Sequence, residues 1–321
     1  MDILLLETLI PQARQWLETR HTVSYQPQLA DDPSALRRAV YKTQALLVTP
    51  KVAVTRELLG FAPRLKVIAC LFDGTDNMDL EACHERGIRV IQPARAPVRT
   101  HAEYLLGGLL MLLRRGFGVS LGGSRRPDIR LGRELGDSVI GILGLTPAAH
   151  TLAHMLAPLG AKLIGYEPAL HHSAAIWERL HIQPVGLAEL MAQADAVSLQ
   201  MLYASRYAGF INDAALMHCK PGQAWVSISR SALFEPQALA SALRDGRIDA
   251  CLLDGVDYRL VAQGAPLHGL NNLIVTPCVA AHTRESRLRA NWYLVDRIHE
   301  AAPAAAGMAP AGPASARVAA R

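Results

Sequence analysis

The chain has 321 residues, of which 50% are hydrophobic and 19% are charged, and its formal net charge is +5. The length favours two domains, and the hydrophobic content is ample for ordinary soluble cores. No apolar run reaches the roughly 18 residues that a membrane span needs, and the basic residues form no dense run with interleaved aromatics, which argues against nucleic-acid binding.

The N-terminus and the cysteines both indicate a protein of the reducing cytoplasm. The first ten residues, MDILLLETLI, carry an acidic residue where a signal peptide has positive charge. The five cysteines are scattered and lack C-x-x-C spacing, so we expect neither a disulfide framework nor a metal site. They stand at positions 70, 83, 219, 251 and 278.

The first third of the chain alternates short apolar runs with amphipathic stretches, a pattern typical of parallel α/β folding. The predicted strands are DILLLE, TVSYQ, ALLVT, KVIACLF and RVIQ. Helical stretches such as DPSALRRAVY, VTRELLGFAP and NMDLEACHERG separate them. This part therefore predicts one small α/β unit.

A second α/β series follows a long helix, predicted from about Thr100 to Arg115, and a loop rich in Gly and Arg, GFGVSLGGSRRPDIRLG. Its predicted strands are SVIGILGL, KLIGYEP, AVSLQML, QAWVSISR, DACLLDGVD and NLIVTPC. Their near-continuous apolarity predicts burial on both faces. A last helix, RESRLRANWYLVDRIHE, could fold back onto the first unit, and the Ala/Pro/Gly-rich residues 304–321 predict a disordered tail.

The turn after the strand SVIGILGL matches two of three positions of a dinucleotide-binding loop. The fingerprint G-x-G-x-x-G/A needs one Gly for the turn, a second for close approach of pyrophosphate, and a small third residue for helix packing. Gly144 and Ala149 meet the first and third demands. Thr146 crowds the second position, although its hydroxyl could donate a hydrogen bond, and Pro147 suits the first turn of a helix.

An acidic residue, Glu167, follows Gly144 by 23 residues at the end of the strand KLIGYEP. A carboxylate at this place can accept both hydroxyls of the adenosine ribose and would repel a 2′-phosphate. The alternative is that Glu167 only caps the strand. We expect NAD rather than NADP as the cofactor.

Four blocks of the sequence carry a family resemblance: APRLKVIACLFDGTDNMDLEACHERGIRVIQ, GRELGDSVIGILGL, FINDAALMHCKPGQAWVSISRSALFEPQALASALRDGRIDACLLDGVD and NLIVTPCVA. From the N-terminus to about residue 300, the chain resembles the D-isomer-specific 2-hydroxyacid dehydrogenases. The resemblance implies a discontinuous, flavodoxin-like α/β substrate domain, 1–97 with 283–303. It further implies a Rossmann-type doubly wound parallel sheet that binds NAD, 98–282, with the active site in the cleft. It also implies a homodimer, and the apolar helix AEYLLGGLLMLLRR with its glycines fits an interface through the Rossmann domain.

The family resemblance also assigns the catalytic positions. The family uses an Arg to bind the substrate carboxylate, a His to carry the hydroxyl proton, and a Glu that pairs with this His. Here SISRS places Arg230 at the first position, where a planar guanidinium suits a carboxylate. LLDGVD places Asp254 at a position that contacts the nicotinamide carboxamide in the family, and Asp257 where the Glu stands. TPC places Cys278 where the family has His.

The change to Cys278 puts proton transfer in question. A thiol is mostly protonated at neutral pH, and a neighbouring carboxylate such as Asp257 would raise its pKa further. Cys278 could therefore donate a proton during ketone reduction but would be a poor base for alcohol oxidation. His282 is an alternative proton carrier, and Cys278 could instead be a small buried residue without a catalytic role.

The substrate-facing loop CLFDGTDNMD also departs from the family, which has a Gly-x-Gly pair that offers backbone N–H groups to the carboxylate. Phe72 replaces the first Gly, and Asp73 and Gly74 remain as possible donors. Two functions follow from these residues. The first is an NAD-dependent oxidoreductase for small 2-hydroxy or 2-oxo acids with weakened proton transfer. The second is a catalytically inactive, dinucleotide-binding relative that acts as a sensor or partner protein.

Overall fold

The computed structural model describes residues 1–72, 74–75, 77–115 and 131–302. The chain divides into two compact units, and the described part of the first consists of Met1–Ala94 and 288–302. The second unit covers Arg95–Arg287 apart from 116–130. The predicted tail, 304–321, and nearly all of the predicted Gly/Arg-rich loop lie outside the described residues. The unit boundaries fall within five residues of the expected domain limits, and the roles assigned to the two domains stay a prediction.

The described residues of the first unit form the five strands expected from its sequence. They are β1 (Asp2–Leu5), β2 (Thr22–Tyr25), β3 (Ala45–Val48), β4 (Val67–Cys70) and β5 (Arg89–Ile91). All neighbours in the sheet run parallel, in the order β2-β1-β3-β4-β5. This order is the flavodoxin-like one.

Four short helices connect these strands in the described part of the unit: α1 (Pro11–Glu18), α2 (Pro33–Ala39), α3 (Arg56–Gly60) and α4 (Leu80–Glu85). Side-chain caps fix where three of them begin. The side chains of Asp32, Thr55 and Asp79 each accept a hydrogen bond from a backbone N–H three residues later. Such caps satisfy N–H groups that the first turn of a helix leaves without partners.

The second unit is built on a seven-stranded parallel sheet. Its strands are β6 (Val139–Leu143), β7 (Lys162–Tyr166), β8 (Gln183–Pro184), β9 (Ala196–Leu199), β10 (Gln223–Ser227), β11 (Ile248–Asp254) and β12 (Leu273–Thr276). The order is β12-β11-β10-β9-β6-β7-β8, so the strand sequence reverses between β6 and β9. This is the doubly wound arrangement predicted for the Rossmann-type domain. The two-residue strand β8 was not predicted.

Six helices lie wholly within the described part of the second unit: α5 (Val98–Leu113), α6 (Pro147–Leu156), α7 (Ala175–Arg179), α8 (Leu187–Gln193), α9 (Asp213–Leu216) and α10 (Pro236–Arg244). The last helix, α11 (Arg284–Glu300), begins in the second unit and continues into the first. There its buried residues Leu294, Val295 and Ile298 join the core formed around β1. Within the described ranges, no helix is long and apolar enough to cross a membrane.

Helix α5 approaches its own sheet closely because residue 108 is glycine. A Cβ on Gly108 would stand 2.7 Å from Val226 Cγ2 and 3.0 Å from Leu252 Cδ2. Gly107, in contrast, is exposed, and no described residue comes within 4 Å of such a position. Gly108 therefore serves packing within its own unit, and the subunit interface through this helix stays a prediction.

Candidate active site

The residues expected to bind cofactor and substrate in the second unit follow the carboxyl ends of its parallel strands. Gly144 follows β6, Glu167 follows β7, Arg230 follows β10, Asp254 ends β11, and Cys278 follows β12. In open α/β sheets, ligands bind at this edge, beside the point where the strand order reverses. The sheet therefore brings residues from distant parts of the sequence to one edge of one unit.

The turn after β6 requires glycine at position 144. Gly144 has a φ of +93°, and an added Cβ would lie 2.6 Å from the backbone nitrogen of Met201. The turn is held from two sides: Gly144 N–H donates to the Tyr166 carbonyl (2.9 Å), and Gln200 Nε2 donates to the Gly144 carbonyl (2.8 Å). Gln200 was not predicted as a site residue, and its signal in the sequence is a polar side chain directly after the buried strand β9.

The beginning of α6 has the properties of a phosphate site. Thr146 is the residue before the helix and has a φ of −72°, so the backbone does not require glycine there. Its hydroxyl oxygen is buried without a hydrogen-bond partner among the described residues. Pro147 opens the helix, and Ala149, in the first turn of the same helix, is fully buried. The first-turn N–H groups have no partner inside a helix and carry its positive dipole end, so this donor set fits a diphosphate.

Glu167 is connected to the same turn. Its Oε2 accepts a hydrogen bond from Leu145 N–H (2.9 Å), and its Oε1 accepts one from Ala169 N–H (3.1 Å). The carboxylate therefore ties the end of β7 to the Gly144 turn, which agrees with the structural alternative. Each carboxylate oxygen can accept a further bond, so the ribose-binding role stays a prediction.

Arg230 is exposed at the carboxyl end of β10, directly before a short 3₁₀ turn. Its guanidinium carbon lies 5.6 Å from the centre of the Tyr203 ring. Nearby, Ser229 Oγ donates to the Met201 carbonyl (3.0 Å), which fastens the end of β10 to the segment after β9. A planar guanidinium carries its N–H donors in one plane, which is the geometry that suits a carboxylate. Tyr203 was not predicted as a site residue.

Asp257 pairs with Arg259 rather than with Cys278. Both of its carboxylate oxygens lie 3.0 Å from Arg259 Nε, and Oδ1 also accepts the Arg259 backbone N–H. These hydrogen bonds, with the positive charge of Arg259, lower the pKa of Asp257 to about 2. The expectation that Asp257 raises the pKa of the Cys278 thiol is therefore wrong, because an adjacent arginine already binds this carboxylate.

Asp254 is buried and bound to the turn that follows β12. It accepts hydrogen bonds from Thr276 Oγ1 (2.6 Å), Val279 N–H (2.8 Å) and Ala280 N–H (2.9 Å). Its carboxylate therefore holds the chain on both sides of Cys278. The nicotinamide contact implied by the family stays a prediction for this residue.

Cys278 is exposed and has a φ of +55°, a conformation that non-glycine residues rarely adopt. Its N–H donates to the Thr276 carbonyl (3.1 Å), and its Sγ lies 2.7 Å from the position of a Cβ added to Gly255. Burial of the sulfur, followed by the negative charge of Asp254, raises the pKa of the thiol. The alternative that Cys278 is only a small buried residue is wrong, because the residue reaches the surface.

His282 is exposed and lies in a turn, before α11 begins. Its backbone N–H donates to the Val279 carbonyl (2.9 Å), and its Nδ1 hydrogen-bonds the Cys278 carbonyl oxygen. A carbonyl only accepts, so Nδ1 carries the proton and Nε2 holds the lone pair of a neutral ring. The orientation of His282, the second candidate proton carrier, is thus tied to the backbone of Cys278.

The substrate-facing loop of the first unit is described only in part. Asp73 lies outside the described residues. Gly74 has a φ of +98°, and its carbonyl accepts a hydrogen bond from Gln92 Nε2. Phe72 is partly buried and packs against the core of its unit. The donor roles of Asp73 and Gly74 toward a substrate stay predictions.

A hollow of about 270 Å³ lies beside β12. Its lining residues are Tyr258, Val261, Leu267, Gly269, Leu270, Leu273, Val275 and Pro277. None of these side chains is charged, so this hollow is not suited to bind a carboxylate. Arg230 remains the better candidate for the acid group of a substrate.

Comparisons with known proteins agree with this geometry. Residues 114–280 match the model of the NAD binding domain of D-isomer specific 2-hydroxyacid dehydrogenases. The chain is 31% identical to the (S)-sulfolactate dehydrogenase of Chromohalobacter salexigens. The alignment covers 94% of this chain and 98% of that protein. It is 32% identical to the D-3-phosphoglycerate dehydrogenase of Mycobacterium leprae over 81% of this chain, but spans only 49% of that longer protein.

The crystal structure of a protein from Thermus thermophilus has a similar fold, with a TM-score of 0.79 and 27% sequence identity. The match covers 94% of this chain and 96% of that one. The predicted two-domain α/β fold and the NAD-binding domain are confirmed. The chain belongs to the D-isomer specific 2-hydroxyacid dehydrogenase family.

Proposed function

We propose that this protein is an NAD-dependent oxidoreductase that interconverts small 2-oxo acids and 2-hydroxy acids, with proton transfer weaker than in relatives that keep a histidine at position 278. The observation that carries the proposal is Arg230. Its exposed guanidinium lies against Tyr203 at the same sheet edge as the Gly144 turn. An arginine at that edge suits a carboxylate ligand next to a bound dinucleotide.

The residues of the Gly144 turn fit NAD. The first-turn N–H groups of α6 and the buried hydroxyl of Thr146 would donate to the diphosphate, and Glu167 would accept from the ribose. NAD supplies hydride transfer when it is bound. The protein's part is to hold the acid in line with the nicotinamide and to move a proton.

Arg230 would bind the carboxylate of the acid through two parallel N–H donors. Tyr203 would restrict the guanidinium to the plane in which it meets the acid. Two such hydrogen bonds would orient the ketone carbon for hydride transfer, and orientation of this kind is a large part of catalysis in two-substrate reactions.

Proton transfer would fall to Cys278 or His282. Because burial and Asp254 raise the thiol pKa, Cys278 stays protonated at neutral pH and can donate to the oxygen of a ketone under reduction. The same property makes it a poor base for oxidation of the alcohol. His282 offers Nε2 as the other candidate, since Nδ1 is bound to the Cys278 carbonyl.

One observation favours the inactive alternative. Arg259 binds Asp257 on both carboxylate oxygens, so the position that carries a glutamate in the family does not support a proton carrier here. A protein that binds NAD without turnover would combine an intact Gly144 turn with this altered proton site.

The finer proposals on assembly and location rest on separate features. Helix α5 presents an exposed stripe at Glu103, Gly107, Leu110, Met111 and Arg114, and Leu110 is 41% exposed. We assign this stripe to a homodimer interface through the Rossmann domain. All five cysteines are free, which suits the reducing cytoplasm.

Titration with NADH, followed by fluorescence, tests the cofactor site first. Glyoxylate, pyruvate, hydroxypyruvate and the oxidised forms of sulfolactate and 3-phosphoglycerate are then added while NADH absorbance is followed. The proposal predicts NADH binding and slow NADH oxidation with at least one acid. Binding without oxidation across the panel supports the inactive alternative, and no binding at all would refute the cofactor assignment.

A further inference from the structure

Three side chains from distant parts of the sequence form one hydrogen-bonded chain beneath the turn that carries Cys278. Tyr104 lies on α5, Thr276 ends β12, and Asp254 ends β11. The Tyr104 hydroxyl is 2.7 Å from Thr276 Oγ1, which is 2.6 Å from Asp254 Oδ1. Tyr104 and Thr276 are only partly exposed, and Asp254 is buried.

The direction of each hydrogen bond in this chain is fixed. The Asp254 carboxylate can only accept, so Thr276 must give its single hydroxyl proton to Asp254. Thr276 Oγ1 must then accept from the Tyr104 hydroxyl. Burial raises the pKa of Tyr104 and outweighs the hydrogen bond with Thr276, which lowers it, and the charge of Asp254 adds a smaller rise. The phenol therefore keeps the proton that this order requires.

Asp254, at the end of this series of hydrogen bonds, sets the conformation of the turn that carries Cys278. Besides Thr276, Asp254 binds the N–H groups of Val279 and Ala280, and so it grips the backbone both before and after Cys278. Between these points Cys278 is held at a φ of +55°. A strained residue of this kind persists only where its surroundings impose it. His282 is bound in turn to the Cys278 carbonyl.

We propose that Tyr104 and Thr276 are positioning residues for proton transfer: they orient Asp254, and Asp254 fixes the turn that presents Cys278 and His282. The proposal rests on the proposed function. It adds a helix residue, Tyr104, that lies 172 positions before Thr276 in the sequence and touches none of the candidate proton carriers in the contacts described above.

Hydroxyl deletions test this proposal. Tyr104→Phe removes the hydrogen bond to Thr276, and Thr276→Val removes the bonds to both Tyr104 and Asp254. Both variants are expected to lower kcat for reduction by about twofold to thirtyfold. Thr276→Ser keeps the hydroxyl and should retain the wild-type kcat. Tyr25→Phe is the matched control, because the Tyr25 hydroxyl also bonds a threonine, Thr8, at 2.7 Å, but in the first unit.

A second measurement does not depend on turnover. All five cysteines lie in the described residues, and Cys278 is the exposed one among them, so Ellman's reagent reports on this thiol in the folded protein. At a fixed pH, Tyr104→Phe and Thr276→Val should react about twofold to thirtyfold faster than wild type, while Tyr25→Phe reacts at the wild-type rate.

The two measurements separate the two proposals. If wild type turns over none of the acids, the proposed function fails, and the thiol rates alone decide the positioning role. Thiol rates and kcat values that match wild type in both variants would overturn the inference. A loss of kcat that is equal in Tyr25→Phe, or one that Thr276→Ser does not rescue, would also overturn it.

Discussion

The second unit has two turns of similar construction, the Gly144 turn and the turn from Thr276 to His282. They differ in the chemical groups that they expose. Both follow parallel strands at their carboxyl ends, and a buried polar side chain holds each of them. Gln200 donates to the Gly144 carbonyl, and Asp254 accepts from Val279 and Ala280. The first turn keeps the donors that a diphosphate needs, and the second presents a thiol in place of an imidazole.

The difference teaches that the side chain that a turn presents can change while the hydrogen bonds that hold its backbone stay the same. Asp254 binds the backbone around residue 278 rather than its side chain, so these hydrogen bonds do not depend on which side chain stands there. At the Gly144 turn, by contrast, the residue is part of the scaffold itself, because any Cβ would meet Met201. We therefore expect a substitution at residue 278 to leave the Asp254 hydrogen bonds in place, and a substitution at residue 144 to disrupt its turn.

The largest effect is expected from Gly144→Ala. The positive φ and the clash with Met201 together should cost about 2–4 kcal/mol of unfolding free energy, and NADH binding should be lost. Thermal unfolding and NADH fluorescence measure both. Gly60→Ala is the control, since no described residue lies within 4 Å of a Cβ added to Gly60. Normal NADH binding in Gly144→Ala would show that this turn does not hold the cofactor.

A loss of about 10- to 100-fold in kcat/KM for the acid is expected from Arg230→Met, because a charge-assisted hydrogen bond to a carboxylate disappears. Arg230→Lys should rescue little, since an ammonium cannot make the paired donors. The Kd for NADH should stay unchanged. Arg206→Met is the control, as Arg206 also lies over a tyrosine ring, that of Tyr207. An unchanged KM for the acid in Arg230→Met would remove Arg230 from the site.

Cys278→His tests whether the second turn can present an imidazole, the group that the family has at this position. Because the backbone of the turn is held by Asp254, we expect kcat to rise by up to about 10²-fold on a substrate that wild type reduces. Cys278→Ser, which lacks an acid of comparable strength, should lower it. Asp257→Glu added to Cys278→His should bring a smaller gain, because Arg259 competes for the carboxylate. The absence of any gain in Cys278→His would argue against the assigned geometry.

The pH dependence of kcat gives the smallest but most specific signal. The pKa of the Cys278 thiol is raised, so the neutral, proton-donating form persists through neutral pH. Reduction should therefore be constant up to the ordinary thiol pKa of about 8.5 and fall only above it. A fall between about pH 6 and 7 would instead indicate an imidazole donor. Initial rates at saturating NADH and acid measure the profile.

Much of the fold could be predicted because strands that are buried on both faces are apolar along their length. All five strands of the first sheet were predicted, and so were six of the seven in the second. The exception is β8, Gln183–Pro184, which is too short to leave a pattern. The sequence also could not show which glycine of α5 packs against the sheet, because Gly107 and Gly108 differ only in the side of the helix on which they lie.

The candidate site was predictable in its positions but not in its pairings. The end of a strand is visible in the sequence, and this placed Arg230 and Cys278 at the sheet edge. The partner of a carboxylate depends on side-chain directions that sequence does not show. Asp257 therefore binds Arg259, two residues away, and Asp254 is the carboxylate that acts on the Cys278 thiol.

Calorimetric titration with oxamate, an unreactive isostere of a 2-oxo acid, tests the central claim most directly. The claim is that Arg230 and the Gly144 turn together form one site for an organic acid and a dinucleotide. It predicts that oxamate binds in the presence of NADH and binds much more weakly without it. It also predicts that Arg230→Met loses oxamate binding but still binds NADH. Oxamate binding that is indifferent to NADH, or equal in Arg230→Met and wild type, would contradict the claim.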